Sequence, residues 1–465
     1  MPYQDIRQFL DVLKCEGELV EINRPIPLSD VGKALKKSYE LAGPALLFNQ
    51  MEGGCPLVGG VYSTRNKALL AFESSEESLF GKISAGLAKP IMPEVVSERA
   101  PCQENVVAGN NIDVRRFPIP TYSPKDGGAY ITAGITVTVD PETGVPDIGH
   151  YRFMILDGKR MSFFAEENHR FGKNLAKCRR LGVKAQAALV IGCDPILAYA
   201  CQFKVSDDTD DWHLAGGLRG APVELVKCKT IDLHVPATAE VVIEFEVDLE
   251  RSYREGPLGE HTGYYDAMAK PQPAALITAI THRHNPIFQA LLTGKPITEN
   301  HILKQIPLEV SFSHFLKQQF PSVARVSLRL SSSVSNYVVI AMKPRYAGEA
   351  RQVILASLAS PLRPKWVVVV DTDIDVHNSA EVEWAMSFRV QPQRDVFVID
   401  GTPRAGCDPS VANPQDRPVT ELLSSAVGID ATLPIGESFP EVADVPGWRE
   451  FYLPELEPAG ATKRS

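Results

Sequence analysis

Two carboxylates, Glu255 and Glu260, stand five positions apart in Glu255-Gly-Pro-Leu-Gly-Glu-His-Thr-Gly-Tyr-Tyr265, a stretch whose glycines and proline exclude a helix. Gly256 and Gly259 let the backbone come close to a ligand, and Pro257 fixes its own φ and denies a helix to Glu255. Acids fixed by turn geometry in unlike surroundings can be tuned apart, so that one stays an anion beside a cation and the other serves as an acid. A solvated surface turn would carry the same residues. The other half of the chemistry is Arg152, in Gly144-Val-Pro-Asp-Ile-Gly-His-Tyr-Arg-Phe-Met154. A strand beginning at about residue 149 puts His150, Arg152 and Met154 on one face, with Tyr151, Phe153 and Ile155 on the other. An arginine inside an otherwise apolar strand needs a carboxylate, and Glu255 can supply it, as a structural ion pair or a catalytic one.

A second group is built from Asp147, in the turn before that strand, His169 in Glu166-Glu-Asn-His-Arg-Phe171, and Asp211 at the end of the acidic run Asp207-Asp-Thr-Asp-Asp-Trp212. Two carboxylates and one imidazole form a hard, mixed ligand set that suits Mn2+ or Mg2+ better than a thiolate-loving metal. A histidine bonded to backbone and an acidic run that forms a solvated loop would account for the same residues.

These residues need more than one core to hold them. At 465 residues the chain is expected to form two or three domains, and with 44% hydrophobic and 23% charged residues it has an ordinary globular composition. A net charge of -9 with no basic run argues against nucleic acid as a partner. No apolar run approaches the ~20 residues of a membrane helix, and Met1-Pro-Tyr-Gln-Asp-Ile6 lacks signal-peptide features, which places the chain in the cytoplasm. Eight scattered cysteines without a C-x-x-C pair read as reduced core thiols.

Asp5 can cap a helix ended by Gly17, Leu19–Ile22 reads as a strand, and the alternation continues through residue 87 as an N-terminal α/β domain over 1–110 that ends in a Pro-rich connection from Pro90 to Pro120. The period then changes to two, with Ile131–Val139, a hairpin about Asp157-Gly158, and strands near 186–191, 239–247, 275–281 and 287–292, which predicts a β-barrel over 111–300. Helical and strand patterns alternate again over 301–440, a third, α/β domain, before a Pro- and Glu-rich tail over 441–465. The fold class expected is therefore α+β and multidomain.

Three joined motifs carry a resemblance: Leu214-Ala-Gly-Gly-Leu-Arg-Gly-Ala-Pro-Val-Glu-Leu-Val-Lys-Cys-Lys-Thr230, Asp232-Leu-His-Val-Pro-Ala-Thr-Ala-Glu240, and the Glu255–Tyr265 loop. Together they resemble the UbiD family of reversible decarboxylases, over nearly the whole chain. The resemblance implies a split β-barrel that binds prenylated FMN between flanking α/β domains, the last of them mediating homodimerisation or a higher homo-oligomer. It implies Arg152, Glu255 and Glu260 as the catalytic trio. It also implies a divalent ion that ties the flavin phosphate to the protein, Mn2+ or Mg2+ with K+ as a further ion, at Asp147, His169 and Asp211. The family uses Asn, His and Glu there, so two of the three ligands differ. Ile148, Tyr151, Arg152 and Asn168 match cofactor-lining positions, and Lys365 a phosphate contact.

The activity implied is reversible, non-oxidative decarboxylation of an aromatic, heteroaromatic or α,β-unsaturated acid. A flavin prenyltransferase would supply the cofactor, and CO2 and a small acid would be the ligands. Arg152 paired with Glu255 would position the substrate and the flavin, and Glu260, its pKa raised by an apolar pocket, would donate the proton that replaces CO2. Thr293-Gly-Lys-Pro-Ile-Thr-Glu-Asn-His-Ile-Leu-Lys304 resembles the family's pocket-lining passage and is polar enough for a second polar group on the substrate, unless His301 and Lys304 merely begin a surface helix. A non-catalytic or assembly subunit of a multi-subunit carboxylase, and a split-barrel flavin oxidoreductase, are the rival readings. The latter would not need the trio.

Overall fold

The computed structural model describes all residues except 1, 98–99, 167–168, 266–269, 404–407, 412–420, 444, 448–450 and 452–465. Asn168 and most of the tail after 440 thus lie outside the described residues.

The expected start is present. Asp5 accepts a hydrogen bond from the Gln8 N–H at 2.9 Å and caps helix Ile6–Cys15, which buries Ile6, Phe9, Leu10 and Leu13 on one stripe. Leu19–Ile22 pairs in parallel with Ala45–Phe48, which pairs antiparallel with Leu57–Gly59. The fourth strand of this sheet is Phe288–Gln289, parallel to Leu57–Gly59, so a segment expected in the barrel completes the N-terminal sheet instead.

The central sheet has nine strands. Its path runs Tyr130–Ile131, Phe153–Ile155, Arg160–Phe163, Lys270–His282, Val241–Glu255, Gln186–Ile191, Ile135–Val139, Pro146–His150, and Asn105–Ala108 pairs with Lys270–His282 off that path. The Pro-rich passage is therefore more than a connection, because Glu94–Val95 also pairs with Glu224–Lys227. The expected single strand through Arg152 is two. Pro146–His150 lies at one end of the path and Phe153–Ile155 lies second from the other end. Two residues, Tyr151 and Arg152, step between them, and a chain segment that short reaches only about 10 Å. The sheet must therefore curl until its two ends nearly meet, which makes a split barrel with Arg152 in the seam.

Helix Glu299–Gln319 leads to a five-stranded sheet in the order Val323–Leu328, Tyr337–Met342, Trp366–Asp371, Leu423–Ala431, Val396–Pro403. Helix Glu349–Leu358 packs against Trp366–Asp371 and Leu423–Ala431. Among the described residues no helix is long and apolar enough to cross a membrane.

The N-terminus is strapped to the half-barrel by a buried charge. Glu240 is fully buried and accepts from Arg7 Nε and Nη2 at 2.7 and 2.8 Å and from the Ile287 N–H at 2.9 Å, with Arg283 Nη1 3.4 Å away. Arg7 reaches solvent and Arg283 keeps Asp5 as a partner, so Glu240→Gln loses charge-assisted hydrogen bonds without burying an unpaired charge and is expected to cost about 1–3 kcal/mol, read as a lower urea midpoint.

Candidate active site

The Glu255 loop is held by backbone, as its composition requires. Glu255 ends the long strand Val241–Glu255, and Gly256 turns the chain at φ +88°, where a side chain would be strained. The Gly127 N–H donates to the Pro257 carbonyl at 2.7 Å, and a Cβ on Gly127 would lie 2.2 Å from the Gly256 carbonyl oxygen, so only glycine fits this crossing. Asp126 Oδ1 accepts from the Gly259 N–H at 3.0 Å, and the Glu260 N–H donates to the Tyr264 carbonyl at 2.8 Å. The carbonyl of His261 accepts from His301 Nε2 at 2.7 Å and from Ser333 Oγ at 2.9 Å, which ties the loop to the connecting helix and to the region beyond it. His301 is fully buried, so it neither begins a surface helix nor lines the pocket; it anchors the loop.

The three residues of the trio come together. Arg152 donates from Nε and Nη2 to the two oxygens of Glu255 at 3.0 and 2.9 Å, and its Nη1 contacts Glu260 Oε1. The arginine side chain is 12% exposed and that of Glu255 2%, which makes the pair a charge-assisted, bidentate contact largely out of water. The guanidinium also lies 5.0 Å from the centre of the Phe164 ring. Tyr130, fully buried, donates to Glu255 Oε1 at 3.2 Å and accepts from the Gly256 N–H at 3.1 Å. Nothing in the local sequence marks Tyr130, because its role depends on a contact across 125 residues.

Beside Arg152 and Glu260, with Glu255 buried behind, is a pocket of about 230 Å³ lined by Tyr151, Phe164, Leu258, Leu303 and, among the polar groups, His150 and Lys304. Arg152 and Glu260 face it too, and Glu166 does so 3.8 Å from His169. Burial and then the charge of Lys304 push the His150 pKa down to about 4, and its Nδ1 is bonded to Gln202 Nε2 at 2.8 Å. The charge of Lys304, followed by burial, holds His261 well below the usual imidazole range. Both imidazoles are neutral at neutral pH. Burial raises the Tyr151 hydroxyl.

The residues expected around the cofactor phosphate arrange themselves differently. Asp211 opens helix Asp211–Arg219, capped by Asp210, and its Oδ2 accepts from the Ile148 N–H at 2.9 Å. Asp147 and Asp211 are buried and both face Arg170, at 3.4 and 2.8 Å. Burial pushes the Asp147 carboxyl up to about 7, and among the described residues its Oδ2 has no hydrogen-bond partner. The His169 side chain is 54% exposed. The unpartnered oxygen would suit a cation, yet among the described residues no three of His, Cys, Asp and Glu form a group able to hold a metal. As arranged, Asp147, His169 and Asp211 do not make a ligand set, and no step below runs through a metal. Lys365 donates to Asp408 Oδ2 at 3.0 Å and Ser410 Oγ at 2.6 Å.

Three family models described for 3-octaprenyl-4-hydroxybenzoate carboxy-lyase match the chain: the N-terminal domain at residues 10–87, the Rift-related domain at 94–296 and the C-terminal domain at 301–431. An uncharacterized protein of Archaeoglobus fulgidus is 32% identical, covering 93% of this chain and 92% of its own. The UbiD-class enzyme HmfF from Pelotomaculum thermopropionicum, solved in complex with FMN, covers 97% of this chain and 100% of its own at 31% identity, with a TM-score of 0.88. Vanillic acid decarboxylase of Sedimentibacter hydroxybenzoicus in its open form covers 97% and 98% at 31% identity, with a TM-score of 0.87.

Proposed function

Because this chain belongs to the UbiD family of carboxy-lyases, we propose that it reversibly decarboxylates an aromatic, heteroaromatic or α,β-unsaturated acid with prenylated FMN as cofactor. The observation that carries this reading is the guanidinium of Arg152 shared between Glu255 and Glu260 at the wall of a small pocket lined by both apolar and polar side chains. Prenylated FMN, when bound, supplies the electron sink for the carbanion that loss of CO2 leaves.

The side chains supply position and a proton. Glu255 accepts hydrogen bonds from two Arg152 nitrogens and from the Tyr130 hydroxyl, and it fixes the plane of the guanidinium. Arg152 Nη1 is the edge that an incoming carboxylate can take from Glu260. A largely buried glutamate that yields its guanidinium contact to the substrate carboxylate is more readily protonated, and on this reading substrate binding arms Glu260 as the acid. Leu258, Phe164 and Leu303 exclude water around the scissile carboxylate and favour departure of neutral CO2. His150 and His261, held neutral, are poorly suited to compete as acids. Lys304, Asn300 and Thr293 also line the pocket and offer contacts to a polar substituent on the substrate. Trp384 and Phe388, exposed on helix Ser379–Arg389, support a homo-oligomer as the working form.

The test is co-expression with a flavin prenyltransferase, followed by an absorbance spectrum and a panel of aromatic and alkenyl acids assayed for CO2. Release of CO2 from at least one acid, dependent on the prenyltransferase, is expected. Bound flavin with no CO2 from any acid points to the assembly-subunit reading. Flavin reduced by a nicotinamide nucleotide without CO2 points to an oxidoreductase.

A further inference from the structure

Arg170 occupies the space between the two buried aspartates. Its Nη1 donates to Asp211 Oδ2 at 2.8 Å and its Nε lies 3.4 Å from Asp147 Oδ1. Its Nη2 donates to the carbonyls of Pro146 and Thr209, each at 3.0 Å, and reaches that of Asp207 at 3.4 Å. Five oxygens thus surround one guanidinium whose side chain is only 15% exposed, and the two carboxylates beside it are 7% exposed. A pair of carboxylates this buried needs a cation, and here a side chain provides it.

We infer that Arg170 is the built-in cation of the cofactor-phosphate site, standing between Asp147 and Asp211 where a divalent ion would otherwise have to bridge them. A divalent ion binding both aspartates would have to expel the guanidinium against like-charge repulsion and strip it of its three carbonyl acceptors. The inference rests on the flavin reading above. It gains support from the neighbouring cations: Lys204 is close enough to Lys304 and Arg363 for both charges to lower its pKa, after burial, and it lies on the same loop as Asp207 and Thr209. Arg170 offsets one of the two aspartate charges, and the charges of Lys204 and Lys304 both act on the neighbouring His169, so side chains bring positive charge to this site without a metal. Arg170 carried no signal in the sequence beyond standing next to His169.

The probe is FMN, titrated into the full-length, cofactor-free protein and followed by quenching of flavin fluorescence, in excess EDTA and in millimolar Mn2+. Wild-type affinity is expected to agree between the two conditions, whereas a metal-clamped phosphate would lose affinity on chelation and regain it with Mn2+. Arg170→Met bares both aspartates, so its FMN affinity in EDTA should fall about tenfold or more and recover with Mn2+, which can then enter. A wild type that loses about tenfold in EDTA and regains it with Mn2+ overturns the inference while leaving the flavin reading intact. So does an Arg170→Met protein that binds FMN in EDTA as wild type does. If Arg170→Met does not fold, Arg170→Lys replaces it, and the wild-type arm decides by itself. No FMN binding under either condition overturns the flavin reading and this inference with it.

Discussion

Arg152→Lys is expected to leave the fold and cofactor binding in place and to lower kcat/KM for the acid substrate by about three orders of magnitude. Arginine engages Glu255 through two nitrogens and Glu260 through a third, in one plane. An ammonium is a point charge and cannot reproduce that fork. A lysine at 152 could neutralise Glu255, but it would leave no oriented edge for the substrate carboxylate, and the exchange that protonates Glu260 would not take place. Because the side chain is largely buried beside a glutamate that is 2% exposed, retention of the positive charge matters for folding. Lysine is therefore the informative replacement, and an apolar one is not. Steady-state CO2 release on cofactor-loaded protein checks it. A loss smaller than about tenfold would mean that Arg152 is a structural ion pair only.

Much of the site was legible because its chemistry is written locally. Two acids among glycines and a proline, and one arginine among apolar residues, are unusual enough to be singled out, and all three meet. What could not be read depends on contacts between distant segments. Tyr130 lies in a plain strand-like run and becomes a partner of Glu255 only because Gly127 lets its segment cross the loop. Arg170 has no local signal in the sequence, and its value comes from the approach of Pro146, Thr209 and Asp211. His301 was open between two readings, and burial against the His261 carbonyl assigned it to neither.

The fold shows the same division. Helix Ile6–Cys15 and the Asp157-Gly158 hairpin follow from capping, period and turn residues. The break at Tyr151–Arg152 does not, because a run that alternates smoothly gives no sign that its halves pair with opposite ends of one sheet. Phe288–Gln289 is too short for periodicity to say which sheet it joins. Val396–Pro403 escaped notice because an edge strand, half-exposed along its length, has no clean alternation.

Glu260→Gln is expected to keep the cofactor and to abolish protonation of the product carbon. Glutamine fills the same volume beside Arg152 but has no proton to give at the pH of the reaction. Loss of a positioned general acid typically costs 10²–10⁴-fold, so exchange should fall by at least about two orders of magnitude. Glu255→Gln should act differently. It leaves the proton donor in place but removes the anion that orients Arg152, so CO2 release and exchange should weaken together. The decisive measurement is solvent deuterium exchange into the decarboxylated product, run on cofactor-loaded wild type, Glu255→Gln and Glu260→Gln. The reaction reads the proton step in reverse without needing net turnover. Ready exchange in wild type, and exchange about a hundredfold or more slower in Glu260→Gln, is the result predicted. Exchange in Glu260→Gln within a few-fold of wild type, with Glu255→Gln inert, would make Glu255 the proton donor and contradict the account.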